Sequence, residues 1–156
     1  SIADAVGQLY VGLAGEAAGT ADFGVGEGDI GDFDVLGFLR HEEDGDTFDI
    51  ITQKTGADFD TILADAVTLV ADTYVKLGFV YDPQEPDPAK MIRFYSNGAD
   101  LGTYVGKASG DATVYIGDTT NFPGGEEMSL LVSSHSEGSA DNTITMDWWR
   151  CAQLRG

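Results

Sequence analysis

The 156-residue chain has a single cysteine, Cys151, so neither an internal disulfide nor a cysteine-based metal site can form. Basic residues are nearly as scarce: eight Lys and Arg stand against 27 Asp and Glu, a formal charge of −19. Such a surface repels phosphate backbones instead of recruiting them by counterion release, and nucleic acid is excluded as an expected partner. No apolar run approaches the ~18 residues that a membrane helix needs, so no membrane partner is expected either. Only two histidines occur, His41 and His135, and they do not share the His-x-x-x-His spacing of metal sites. Both are read as surface residues. Helical periodicity is also hard to find.

What the chain does have is short strand-like runs separated by turn residues, 21 of them glycine. Strands are expected near Gln8–Ala14, Val35–His41, Thr47–Gln53, Asp60–Ala64, Thr73–Tyr81, Met91–Ser96, Leu101–Val105, Ala112–Ile116, Met128–Ser134 and Asn142–Gln153. In "TYVKLGFVY" the alternation puts Thr73, Val75, Leu77, Phe79 and Tyr81 on one face. "TILADAVTLVAD", Thr61 to Asp72, is open between a helical turn and a strand with a turn at Ala64-Asp65 and a second short strand. The abundance of Thr and Val favours the strands. "DPQEPDPAK" holds three of the four prolines and reads as a stiff loop, and "GTADFGVGEGDIGDFD" reads as a long glycine-rich surface loop. No internal repeat or linker divides the chain, so residues 1–156 form one all-β domain of a size that supports one core.

The most legible element is "FYSNGADLGTY". Its Asn97-Gly98 pair suits a type I′ turn, which needs positive φ at both central positions. With Ser96 facing Ala99, the register sets Tyr95 opposite Asp100, Phe94 opposite Leu101, Ile92 opposite Thr103 and Met91 opposite Tyr104. One face of this hairpin is apolar and belongs against a core.

Three pieces in order carry a family resemblance: "TYVKLGFVYD", "KMIRFYSNGADLGTYVG" and the terminal "ITMDWWRCAQL". Their order resembles the concanavalin A-like, laminin G-like jelly-roll superfamily, with the matching residues at Phe94–Gly98 and Asp147–Arg150. The ending "DWWRCAQL" with the upstream "YVKLGFVYDP" is similar to jelly-roll structural proteins of tailed bacteriophages. The resemblance covers about half the chain and implies an antiparallel two-sheet jelly-roll sandwich. A complete sandwich of that family has about a dozen strands, so one or two are expected to precede Ser1, making the chain the C-terminal part of a longer one. The absence of an initial Met and the strand-like register of Gln8–Leu13 point the same way. "SIADAVGQLYVGLAG" has neither the basic start nor the long apolar centre of a signal peptide.

Enzymes of this superfamily use Glu-x-Asp-x-x-Glu on one strand, because alternation brings two carboxylates into one cleft. The nearest stretch, "HEEDGDTFD", has Glu42 and Asp44, but Thr47 stands where the third acid belongs and Gly45 turns the chain. Paired-carboxylate catalysis is therefore not expected. Ser134 and His135 are adjacent on a strand and point to opposite faces, which rules out direct contact. "GVGEG" lacks the Lys and the helix of a phosphate loop, and its Glu27 would repel phosphate.

Two acidic stretches offer hard oxygens of the kind calcium takes: Asp44, Asp46 and Asp49, and Glu27, Asp29, Asp32 and Asp34. Neither has EF-hand spacing, and solvated acidic turns are the simpler reading. Among the aromatics, Ile144, Met146 and Trp148 share parity and form the expected core face of the last strand, which leaves Asp147, Trp149 and Cys151 outward. Arg150 is expected to pair with a carboxylate. The outward face is open to three covers: a preceding strand or loop, a neighbouring subunit, or a sugar ring stacked on the indole. Tyr95 and Trp149 are thus the candidate contact residues.

The resemblance points to a non-enzymatic virion structural protein on a capsid surface, a decoration or cement subunit of a tailed phage. Its partners would be the major capsid protein and further copies of itself. The alternative is a carbohydrate-binding module of a tail fibre or exposed virion domain, with glycans as ligands; a degenerate glycosidase is a third option. No cofactor is expected beyond the calcium candidates.

Overall fold

The computed structural model describes residues 7–15, 33–41, 45–55, 60–81, 92–103, 127–136 and 145–152. Among them are eight strands and no helix: β1 Gly7–Gly15, β2 Val35–Arg40, β3 Thr47–Gln53, β4 Asp60–Thr68, β5 Leu77–Tyr81, β6 Ile92–Ser96, β7 Ala99–Thr103 and β8 Met128–Ser136. All pairings are antiparallel. One sheet has the order β4-β3-β2-β1-β8 and the other β5-β6-β7, giving the two layers of an all-β sandwich.

The layers meet because each presents a row of alternate apolar side chains. Leu36 and Phe38 on β2, Phe48 and Ile50 on β3 and Val67 on β4 pack with Ile92 and Phe94 on β6. Phe38 and Phe94 stand edge to face across the seam, with ring centroids 5.7 Å apart and planes at 88°. Phe48 and Phe79 extend the aromatic row at 6.4 Å from Phe38 and 5.9 Å from Phe94. The other face of the larger sheet carries a second cluster, Tyr10, Ala14, Val35, Leu39 and Ile51, with Phe33 and Leu131 packed against it. Strand β2 is consequently buried at all six positions.

On this second face the glycines Gly12 and Gly37 lie directly opposite each other. A Cβ on Gly12 would fall 2.5 Å from the Tyr10 hydroxyl oxygen, which occupies the space that two side chains would take. Tyr10 is 1% exposed and its hydroxyl donates to the Leu13 carbonyl at 2.6 Å. Burial pushes ionisation of this phenol far above the usual tyrosine range, against the smaller opposing effect of a hydrogen bond with the Leu36 backbone. The folded value lies above the unfolded one, so this contribution is present below pH ~10 and is lost as pH rises past it. At neutral pH, Tyr10→Phe should cost about 1 kcal/mol through loss of the hydrogen bond to the Leu13 carbonyl. Above pH ~10 the wild type should lose stability more steeply than Tyr10→Phe, as read from urea midpoints between pH 7 and 11.

The hairpin turn forms as its residues dictate, with φ of 52° at Asn97 and 84° at Gly98. Ser96 faces Ala99 and Tyr95 faces Asp100, but Phe94 then pairs with Gly102 and Arg93 with Thr103. The expected pairs Phe94–Leu101 and Ile92–Thr103 are therefore corrected: a bulge inserts Leu101. Gly102 adopts φ of 115°, and its N–H is held by the Asp100 carboxylate at 2.8 Å. Met91 and Tyr104 lie outside the described residues.

Residues 60–68 form one strand, where two short strands divided by a turn were expected. The expected turn survives as a bulge at Asp65, whose φ is 52°. Asp49 Oδ1 accepts from the Asp65 N–H, and Thr47 Oγ1 donates to Asp65 Oδ1, both at 2.8 Å. Thr73–Lys76 is not part of β5: Asp72 turns the chain at φ of 58°, and Lys76 is tied to the hairpin turn by Lys76 N–H to Asn97 Oδ1 and Asn97 N–H to Lys76 O. Val75, Leu77 and Phe79 nevertheless share the core-facing side, as their alternation requires.

The expected last strand needs the largest correction. Residues 145–152 pair with no described strand and are exposed throughout. Met146 and Trp148, expected in the core, are 53% and 63% exposed. The expected strand Ala112–Ile116 lies outside the described residues.

Candidate functional site

Three places bear on function, beginning with the acidic turn between β2 and β3. Arg40 is buried at the end of β2, where Nη1 donates to the Gly7 carbonyl at 2.9 Å and Nε to the Gly45 carbonyl at 2.7 Å. Its remaining nitrogen, Nη2, lies 3.8 Å from Asp46 Oδ1. A planar guanidinium that spreads several donors suits this three-way tie between β1, β2 and the turn. Asp46 is thus beside a cation already, and Asp49 caps the Asp65 bulge. Asp44 lies outside the described residues. Of the second acidic stretch, Asp34 is buried and accepts from the Thr55 N–H at 2.9 Å, and Glu27, Asp29 and Asp32 lie outside. Among the described residues, no three His, Cys, Asp or Glu side chains form a group that could hold a metal ion.

The second place is the outer face of the smaller sheet. Tyr95 is half-buried there, between Gly78 on β5 and Asp100 on β7, with Val80 and Arg93 forming the next row. A Cβ on Gly78 would meet nothing within 4 Å, so the tyrosine ring borders open space on the β5 side. Asp100 is occupied by the Gly102 N–H. This is a ledge with one aromatic, one cation and one exposed aliphatic side chain, Val80.

The third place is the segment 145–152. Met146, Trp148 and Trp149 are 53%, 63% and 61% exposed, and Asp147, Arg150 and Cys151 between and beyond them are exposed as well. Arg150 makes no ion pair among the described residues, and most of the carboxylates it was expected to meet lie outside them. Two adjacent indoles and a thioether at the surface form an apolar group of the kind that marks a contact site. Tyr95 and Trp149 lie in different places and share no contact among the described residues.

Sequence reasoning missed the Arg40 tie and the hollow at Gly78. An arginine that closes a run of buried residues, in "VLGFLR", was the available signal for the first. No helix among the described residues is long and apolar enough to cross a membrane. Comparison of the chain with protein-family models, curated proteins and solved structures finds no match.

Proposed function

We propose that the chain is a non-enzymatic structural protein of a virion, a decoration or cement subunit on the capsid of a tailed phage, held there in an array with the major capsid protein and copies of itself. The observation that carries the assembly part is the exposed Met146, Trp148 and Trp149 on a segment that joins neither sheet. Tryptophan is the residue that most often dominates a protein contact, and two beside each other can bury a large area for few ordered torsions. The two-layer body, locked by the Phe38–Phe94 seam, suits a rigid adaptor. The virion part rests on the likeness of the hairpin and the ending to tailed-phage jelly-roll proteins.

Tyr95 beside the open step at Gly78 favours a second reading, saccharide stacking on the outer face of the smaller sheet. One experiment separates the two. Fluorescently labelled wild type, Trp148→Ser/Trp149→Ser and Tyr95→Ala are incubated with tailed-phage particles and, in parallel, with a glycan array. Assembly predicts particle binding that falls at least ~30-fold in the double variant, as loss of a contact hot spot does, and survives in Tyr95→Ala. Saccharide binding predicts array signals that Tyr95→Ala alone abolishes. A wild-type chain that stays in the supernatant, with electron microscopy showing native particles without it, ends the capsid proposal.

A further inference from the structure

Of the four described strands at the sheet edges, β8 is the one whose own sequence and register put no obstacle in the way of further pairing. Strand β4 is broken by two register shifts and carries Asp60 and Asp65, and β7 is short, bulged and carries Asp100. Strand β5 is uncharged but has five residues. Strand β8, "MSLLVSSHS", has nine, matches β1 at nine successive positions without a shift, and contains no Asp, Glu, Lys, Arg or Pro. No described strand lies on its outer side. Charges, prolines and bulges are the means by which sheet proteins block edge pairing, and β8 has none of them. Leu130 on this strand is 42% exposed.

The same chain holds a complementary piece. Residues 145–152, "TMDWWRCA", alternate like a strand from Thr145 to Trp148 and expose apolar side chains, but have no strand partner among the described residues. Their Asp147 and Arg150 cancel, so the segment is neutral, as β8 is, in a chain whose formal charge is −19. Two neutral surfaces are where copies of so acidic a chain can approach without like charges face to face.

We propose that residues 145–152 of one copy add as a further strand to the β8 edge of a second copy, extending its sheet from five strands to six. Main-chain hydrogen bonds along β8 supply the attraction, and because strand neighbours alternate faces, one of the two adjacent indoles falls on the exposed Leu130 side of the edge and the other on the opposite side. The inference rests on the assembly reading and names the first partner of the same segment as another copy of this chain.

The test is complementation. Sedimentation velocity of the full chain should show association that grows with concentration and, because copies repel through their net charge, strengthens as salt rises. Leu130→Lys places a charge on the acceptor edge and leaves the donor intact; Trp148→Ser/Trp149→Ser removes the donor and leaves the edge. Each variant alone should be monomeric, and an equimolar mixture should restore a dimer and nothing larger. Circular dichroism and melting verify folding, and Ser129→Lys, at an exposed position, replaces Leu130→Lys where that variant fails to fold. A wild type that stays monomeric at every concentration and salt overturns the inference, as does a mixture that remains monomeric. Monomers that bind particles would sink this inference alone, whereas oligomers that never bind particles would sink only the capsid reading.

Discussion

Phe94→Ala should cost about 4 kcal/mol of folding stability and lower the melting temperature by roughly 10 °C, because it removes a fully buried ring that packs edge to face across the two sheets. Phe94 is 0% exposed and touches Phe38 from the larger sheet and Phe79 from its own. Truncation forfeits the transfer of the ring from water and leaves a cavity that two hydrogen-bonded sheets cannot collapse to fill. Domains of this size have about 5–15 kcal/mol in total, so the variant would keep only part of its margin. Urea unfolding gives the comparison: the midpoint should fall with an unchanged slope. Tyr95→Ala, one residue on and facing outward, should cost under about 1 kcal/mol. A Phe94→Ala loss as small as that would mean the sheets are not held through this seam.

Gly37→Ala should be nearly as damaging although it adds a single methyl group. The new Cβ would lie 2.6 Å from the Gly12 Cα and from the Val11 carbonyl oxygen, and 3.0 Å from the Tyr10 hydroxyl. Two of these neighbours are backbone atoms, which cannot swing aside as a side chain does. The β1–β2 ladder must open or shift in the middle of the larger sheet, at a cost of about 3 kcal/mol, the upper end of overpacking. Gly78→Ala is the matched control. Its Cβ meets nothing within 4 Å, so the change should be neutral or slightly stabilising through reduced freedom of the unfolded chain. Equal losses in the two variants, measured in the same urea titration, would remove the close approach of β1 and β2 as the explanation.

How far the fold could be read from the residues depends on whether a strand's signal is local. Asn97-Gly98 demands positive φ by itself, and the turn forms as read. The runs around Val35 and Thr47 are apolar enough that any sandwich must bury them, and both are strands in the larger sheet. The bulge at Leu101 was not read because alternation of Phe94, Leu101 and Thr103 fits a regular ladder; the spacing of Asp100 and Gly102, an acceptor and a residue tolerant of positive φ, was the neglected sign. Thr73–Lys76 has strand alternation too, but its last residue is bonded to a turn instead of a ladder. The ending from Met146 to Trp149 fails for the same reason on a larger scale, since periodicity describes a strand's faces and says nothing of the edge it needs. Of the candidate contacts, Tyr95 lies on the hairpin face opposite buried Phe94, as the alternation of adjacent residues requires, while the exposure of Trp148 beside Trp149 could not be derived from parity at all.

The burial of β2 on both faces also decides how the molecule breathes. Its six residues have a neighbour strand on each side and an apolar cluster above and below, so no small fluctuation can release their amide protons. For that strand, opening and complete denaturation are one and the same event. The rim strand β5, with two of its five residues exposed, is free to detach on its own. Deuterium would therefore enter from the rim inward, and the last amides to be labelled, those of Val35 to Arg40, would report the free energy of the whole fold.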